Sequence, residues 1–290
     1  ADSAYRDTVW CGLEAGDPER ALAAARAYVK ARPGRGQASE TLGDLLISLG
    51  RYHQADDEYR RALAMGAKTA AIKLRIVDLH DRGRCSEMLP SAQEIVGPDP
   101  ANPEPVLVVA LTQAWAAAGV LCGDWGATDS AIAAARRWLP GGALADDLAV
   151  FVAAARGTAG SYELARAWAA EVTRWSGAAE ERVRRFGPLL VAARANGKVA
   201  EALALVPLPP APIDRYVSIR SPLLFDIALA RLDLGDVEEA GLACDELLAA
   251  AADYAPGRYC AGMVAEARSE WSEAFRHYRA FLDRWVDADD

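Results

Sequence analysis

The side chains best suited to chemistry in this 290-residue chain are few and scattered. Its three histidines are His53, His80 and His277, and no two stand at the His-x-x-x-His spacing that puts two zinc ligands on one helix face. His80 is followed by Asp81, an acid–base pair in composition, but no nucleophile accompanies it. Gly197-Lys198 lacks the upstream glycine of a phosphate-binding loop. Gly34-Arg35-Gly36 lacks the third glycine of a dinucleotide fingerprint, and no Gly-x-Ser-x-Gly turn occurs. The carboxylate pairs Asp56-Asp57, Asp146-Asp147 and Glu238-Glu239 fall in amphipathic stretches, where a solvated helix face explains them. No catalytic residue, metal-ligand set or cofactor is expected, and the chain reads as non-catalytic.

The five cysteines, Cys11, Cys85, Cys122, Cys244 and Cys260, are odd in number and widely spaced, with no Cys-x-x-Cys pair. Reduced, mostly buried thiols are the expectation, rather than a disulfide framework or a zinc site. The net charge of -9 argues against general nucleic-acid binding, which depends on Lys and Arg neutralising phosphates. No apolar run approaches the roughly 18 residues of a membrane-spanning helix. The chain begins Ala-Asp-Ser, without a methionine or a signal peptide, which reads as a removed leader or a fragment of a longer protein. A cytoplasmic location is favoured.

The elements are more informative than the isolated side chains. Alanine dominates the apolar residues and β-branched residues are sparse, which favours helix over sheet. The corner Gly50-x-Tyr52-x-x-Ala55 recurs as Gly16…Pro18…Ala21, Gly83…Cys85…Met88, Gly126…Thr128…Ala131 and Gly160…Tyr162…Ala165. It continues as Gly197…Val199…Ala202, Gly235…Val237…Ala240 and Ser269…Trp271…Ala274. The successive spacings are 34, 33, 43, 34, 37, 38 and 34 residues. An amphipathic stretch precedes each corner and another follows it, so each unit is a helix hairpin whose apolar face only its neighbours can bury. The glycine suits the left-handed turn past a helix end, and the residue two later packs the corner.

This pattern resembles the tetratricopeptide repeat family over nearly the whole chain. Leu42-Gly43, Gly50, Tyr52, Ala55, Tyr59 and Ala62 fall at that family's signature positions, as do Gly262, Trp271, Ala274, Tyr278 and Phe281 near the end. The resemblance implies an all-α, right-handed α-α superhelix of about eight helix hairpins. Their approximate bounds are 2–35, 36–68, 69–98, 106–143, 144–178, 183–209, 219–252 and 255–288. The proline-rich stretches 97–105 and 207–212 read as insertions within one continuous domain. Trp138, Trp168, Trp175, Trp271 and Trp285 are expected to pack, while Trp10 and Trp125 are less easily absorbed. The segment YRAFLDRWVDAD, residues 278–289, looks like the final repeat of bacterial regulators with catalytic or DNA-binding domains upstream.

In such arrays the first helix of each hairpin lines the concave face. The resemblance therefore implies a partner-binding groove carrying Arg6, Trp10 and Glu14, then Glu40 and Asp44, then Lys73, His80 and Asp81. Arg184 and Arg194 follow from the sixth repeat, Phe225 and Asp233 from the seventh, and Tyr259 from the eighth. The acidic N-terminal part points to an extended or helical peptide bearing Lys or Arg. A small-ligand or peptide sensor that changes superhelical pitch is the alternative, and an enzyme on a repeat scaffold the third reading.

Overall fold

The structure is a computed structural model that describes residues 2–14, 17–82, 105–141, 143–172, 179–206, 217–250 and 255–283. Fifteen α-helices and no strand are found among these residues. They are α1 (Asp2–Glu14), α2 (Pro18–Ala31), α3 (Gly36–Ser48), α4 (Tyr52–Ala64), α5 (Lys68–Arg82), α6 (Pro105–Leu121), α7 (Trp125–Trp138) and α8 (Leu144–Arg156). There follow α9 (Ser161–Val172), α10 (Ala179–Ala195), α11 (Val199–Leu203), α12 (Val217–Asp233), α13 (Val237–Ala250), α14 (Ala255–Ala267) and α15 (Trp271–Leu282). Sequential helices pair as hairpins, with α3 on α4, α12 on α13 and α14 on α15 among the most extensive contacts, and each hairpin then packs on the next.

The small-residue column explains why these hairpins close tightly. A Cβ on Gly43 would stand 2.5 Å from the Tyr59 ring, and one on Gly262 would stand 2.5 Å from the Tyr278 ring. The tyrosine of the second helix thus lies flat over a glycine of the first, and both hydroxyls find carboxylates, Tyr59 donating to Asp44 at 2.9 Å and Tyr278 to Glu266 at 2.6 Å.

The corners largely follow the repeat, with one change of register. Gly50, Gly160, Gly197 and Gly235 adopt left-handed φ, and Ser269 takes the same conformation at φ 63°. In the fourth repeat the left-handed residue is Gly123 at φ 66°, not Gly126. The corner is therefore Gly123-x-Trp125-x-x-Thr128, with Asp124 capping α7 by accepting from the Ala127 N–H at 3.0 Å. Thr128 fills the alanine position and is fully buried. The corners at Gly16 and Gly83, and the stretches 97–104 and 207–212, lie outside the described residues.

Two large cores run along the solenoid. One joins the first three repeats through Val9, Leu22, Leu45, Tyr59 and Leu74; the other joins the last four through Tyr162, Leu190, Ile227 and Leu247. Ile47 touches both, and Tyr52 packs in the C-terminal core. Accordingly α3 of the second repeat touches α12 of the seventh, so the array closes back on itself.

Two expectations are corrected. Cys244 of α13 and Cys260 of α14, both buried, form a disulfide with Cα atoms 5.7 Å apart, and Cys122 is disulfide-bonded too. Only Cys11 among the described residues is free, and it is exposed. Helices of neighbouring repeats bring the 244–260 pair together, a proximity that spacing along the chain conceals. Trp271 is 65% exposed rather than packed, as are Phe275 and Leu282 on the same face of α15, where no described element follows. Trp138 and Trp168 are half-buried, while Trp175 and Trp285 lie outside the described residues.

Candidate functional site

The first helices of the hairpins, expected to line the inner face, touch one another from α5 through α6, α8, α10 and α12 to α14, and a polar cluster joins α3 to α5. Lys73 of α5 reaches between two carboxylates of α3, 2.8 Å from Glu40 Oε1 and 2.7 Å from Asp44 Oδ1. Tyr59 donates to Asp44 from the other side, and the Lys73 ammonium lies 5.9 Å from the centre of the Tyr59 ring. Burial lifts the Asp44 carboxyl above the usual range, and Lys73 and Tyr59 bring it only partly back. Burial alone would lower the Lys73 ammonium, but Asp44 and Glu40 reverse that and raise it. Burial and then Asp44 hold the Tyr59 phenol protonated. Three residues expected to meet a partner separately therefore meet one another. Their charges sum to a single negative, so reversing Glu40 or Asp44 would first break the ion pairs that tie α3 to α5.

The remaining expected positions are spread out. Arg6 is exposed on α1, and Trp10 is half-buried against the N-terminal core. Glu14, His80, Asp81 and Arg184 are in helices, but their side chains lie outside the described residues. Tyr259 is 39% exposed and packs its ring on Tyr278 and Phe281 at 5.7 and 5.3 Å. Phe225 turns into the C-terminal core. Trp125, the other unabsorbed tryptophan, is covered by the Arg156 guanidinium 5.0 Å from its ring centre. The same guanidinium hydrogen-bonds the Trp125 carbonyl, Thr128 and Asp129, so the pair staples the fourth repeat to the fifth. Arg185 over Trp168 does the same between the fifth and sixth, and Trp168 donates to Asp147 at 2.6 Å.

The second polar cluster joins α10 and α12. Arg194 pairs with Asp233 at 2.6 Å beside a hollow of about 780 Å³ whose lining includes Val191, Gly197, Val199 and Leu234. Seven residues before Asp233, on the same face of α12, stands Asp226. Burial pushes its carboxyl up to about 7, with Arg194 pulling it back. Asp226 was not among the expected residues. The heptad spacing from Asp233 is the available signal, whereas the repeat register points to its neighbour Phe225. Among the described residues, no group of three His, Cys, Asp or Glu side chains gathers at a spacing fit to hold a metal ion, and no helix is long and apolar enough to cross a membrane.

Comparison with known proteins agrees with the repeat reading where it is specific. Residues 37–65, spanning α3, the Gly50 corner and α4, match the tetratricopeptide repeat. Among solved structures, a chain in the "Structure of Naa15/Naa10 bound to HypK-THB" aligns at a TM-score of 0.32 and 18% identity. That alignment covers 98% of this chain and 37% of that one, so this chain spans well under half of its counterpart's length. No curated protein matches. With a tetratricopeptide repeat at 37–65 and helix hairpins throughout the described residues, the chain is a tetratricopeptide-like helical-repeat protein folded as an all-α solenoid.

Proposed function

We propose that this protein is a non-catalytic scaffold that holds a partner protein or peptide along the inner face of its superhelix. The observation that supports the reading is the succession of first helices α5, α6, α8, α10 and α12, each touching the next, with α3 meeting α12 across the array and ion pairs carried on α3, α5, α10 and α12. The tetratricopeptide repeat at 37–65 supports it, since such repeats commonly present an inner face to other proteins. Glu40, Asp44, Asp226 and Asp233 outnumber Lys73 and Arg194 there, which suits a partner segment bearing Lys or Arg.

Site-specific photo-crosslinking tests this reading. A photoreactive residue at Arg6, Trp10 or Arg194 should trap a partner, whereas one at Asp57 or Glu239 on second helices should not. Equal trapping from both sets would refute an inner-face scaffold.

A second reading, a sensor whose superhelix changes pitch, is favoured by one observation. The contact between α3 and α12 joins repeats five apart, a closure that ligand entry would have to alter.

A further inference from the structure

The inner stripes of α10 and α12 run side by side with matched spacing. Gly187 and Arg194 are seven residues apart on one helix, Asp226 and Asp233 seven apart on the other. One rung is closed, because the Arg194 guanidinium grips Asp233 with Nε and Nη2 at 2.6 and 3.3 Å. The other rung sets a carboxylate against a residue without a side chain. A Cβ on Gly187 would stand 3.0 Å from Asp226 Oδ2, and among the described residues no other atom beyond its own helix turn lies within 4 Å of that position. Asp226 is enclosed by protein yet keeps part of its surface open to solvent, and it makes no hydrogen bond or ion pair among the described residues.

This separates Asp226 from the other acidic groups on the inner face. Glu40 and Asp44 share Lys73, and Asp233 has Arg194. A carboxylate drawn from bulk water without a partner is costly, and the cost is recovered when a cation arrives. Gly187 leaves the space through which a slender alkyl stem could reach it.

We propose that Asp226 is the seat of one ammonium or guanidinium group, carried by a Lys or Arg side chain of a bound peptide that passes over Gly187. The inference rests on the inner-face scaffold reading and narrows it to one contact and one chemistry.

The test uses fluorescence anisotropy with a labelled peptide of alternating Gly and Lys, and a Gly and Glu counterpart as the charge control. The Lys peptide should bind the intact chain and the Glu peptide should not. Asp226→Asn should weaken the Lys peptide by about tenfold or more, the scale of a charged hydrogen bond lost in a recessed site. Gly187→Val should weaken it as well by filling the approach, while Asp57→Asn on the outer surface should leave it unchanged. Asn is isosteric and removes a poorly solvated charge, so Asp226→Asn should keep its helical circular dichroism and melt no lower than the parent.

Competition by methylammonium and by an Arg-containing peptide separates the sources. Displacement by the peptide alone assigns the seat to a side chain, while displacement by methylammonium alone overturns the peptide claim. Equal affinity of Asp226→Asn and parent for the Lys peptide, or no binding by the parent, also overturns the proposal. The scaffold reading fails separately: it survives either result if crosslinks from Arg6, Trp10 or Arg194 still trap a partner.

Discussion

At the scale of single residues, the polar clusters on α3, α5, α10 and α12 owe their character to how each charge is paired. Lys73 pairs with two carboxylates and Arg194 with one, while Asp226 makes no hydrogen bond or ion pair among the described residues, and its carboxyl is raised to about 7 by burial with Arg194 opposing. A carboxylate whose folded pKa exceeds its unfolded value binds protons more tightly in the native state. Stability therefore falls as pH rises from about 4 to about 7 and is flat above that. The charged groups near Asp226 are Arg194 of α10 and, one heptad along its own helix, Asp233. Thermal melts across this range should show the decline in the parent and a shallower one in Asp226→Asn, the remainder coming from Asp44, whose carboxyl burial also raises. An identical slope in both would remove Asp226 as its source. The tyrosines lying over Gly43 and Gly262 show the opposite kind of residue, legible in sequence because a fixed spacing from the corner specifies both partners.

Among the elements, hairpin packing is reinforced by staples of different kinds. Arg156 on Trp125 and Arg185 on Trp168 tie successive repeats without burying the charge fully. The seventh and eighth repeats are tied covalently, Cys244 on α13 to Cys260 on α14. The bond closes a loop of 16 residues, for which chain-entropy arguments give about 3 kcal/mol of stabilisation. Reduction, or a Cys244→Ala and Cys260→Ala double variant, should lower the urea midpoint accordingly. An unchanged midpoint would show that α13 and α14 hold together by packing alone. A cystine of this kind persists in oxidising surroundings, which weighs against the reduced thiols expected from the scattered spacing. The last described helix, α15, exposes Trp271, Phe275 and Leu282 along one face, where the corner tryptophan was expected to pack. A corner residue is buried only if a following helix covers it, and no described helix does so here.

For the whole molecule, the decisive feature is closure. Ile47 touches both large cores, Tyr52 packs among residues of the last four repeats, and α3 meets α12. The second repeat thus serves as both a link in the array and a latch on its inner side. Replacing Ile47 with Ala should cost about 2 kcal/mol, near the low end for a partly covered aliphatic side chain. It should also raise the radius of gyration measured by small-angle X-ray scattering as the superhelix opens. A destabilised variant of unchanged dimensions would mean that the α3–α12 contact does not hold the curvature.

The sequence by itself determined the helices, their pairing and the column of small residues, because these depend on contacts within about one repeat length. Gly50, Tyr59, Ala55 and Gly262 could be read from a period of about 34 residues, and the fourth corner was misplaced only by the three residues separating Gly123 from Gly126. What the tertiary structure alone decided are contacts between repeats. It placed Lys73 between Glu40 and Asp44, joined Cys244 to Cys260, covered Trp125 with Arg156, and left Asp226 beside Gly187 with no hydrogen bond or ion pair among the described residues. The reason is geometric: a period fixes which residues share a face, whereas superhelical curvature fixes which faces meet, and curvature is the sum of small rotations that no single repeat records.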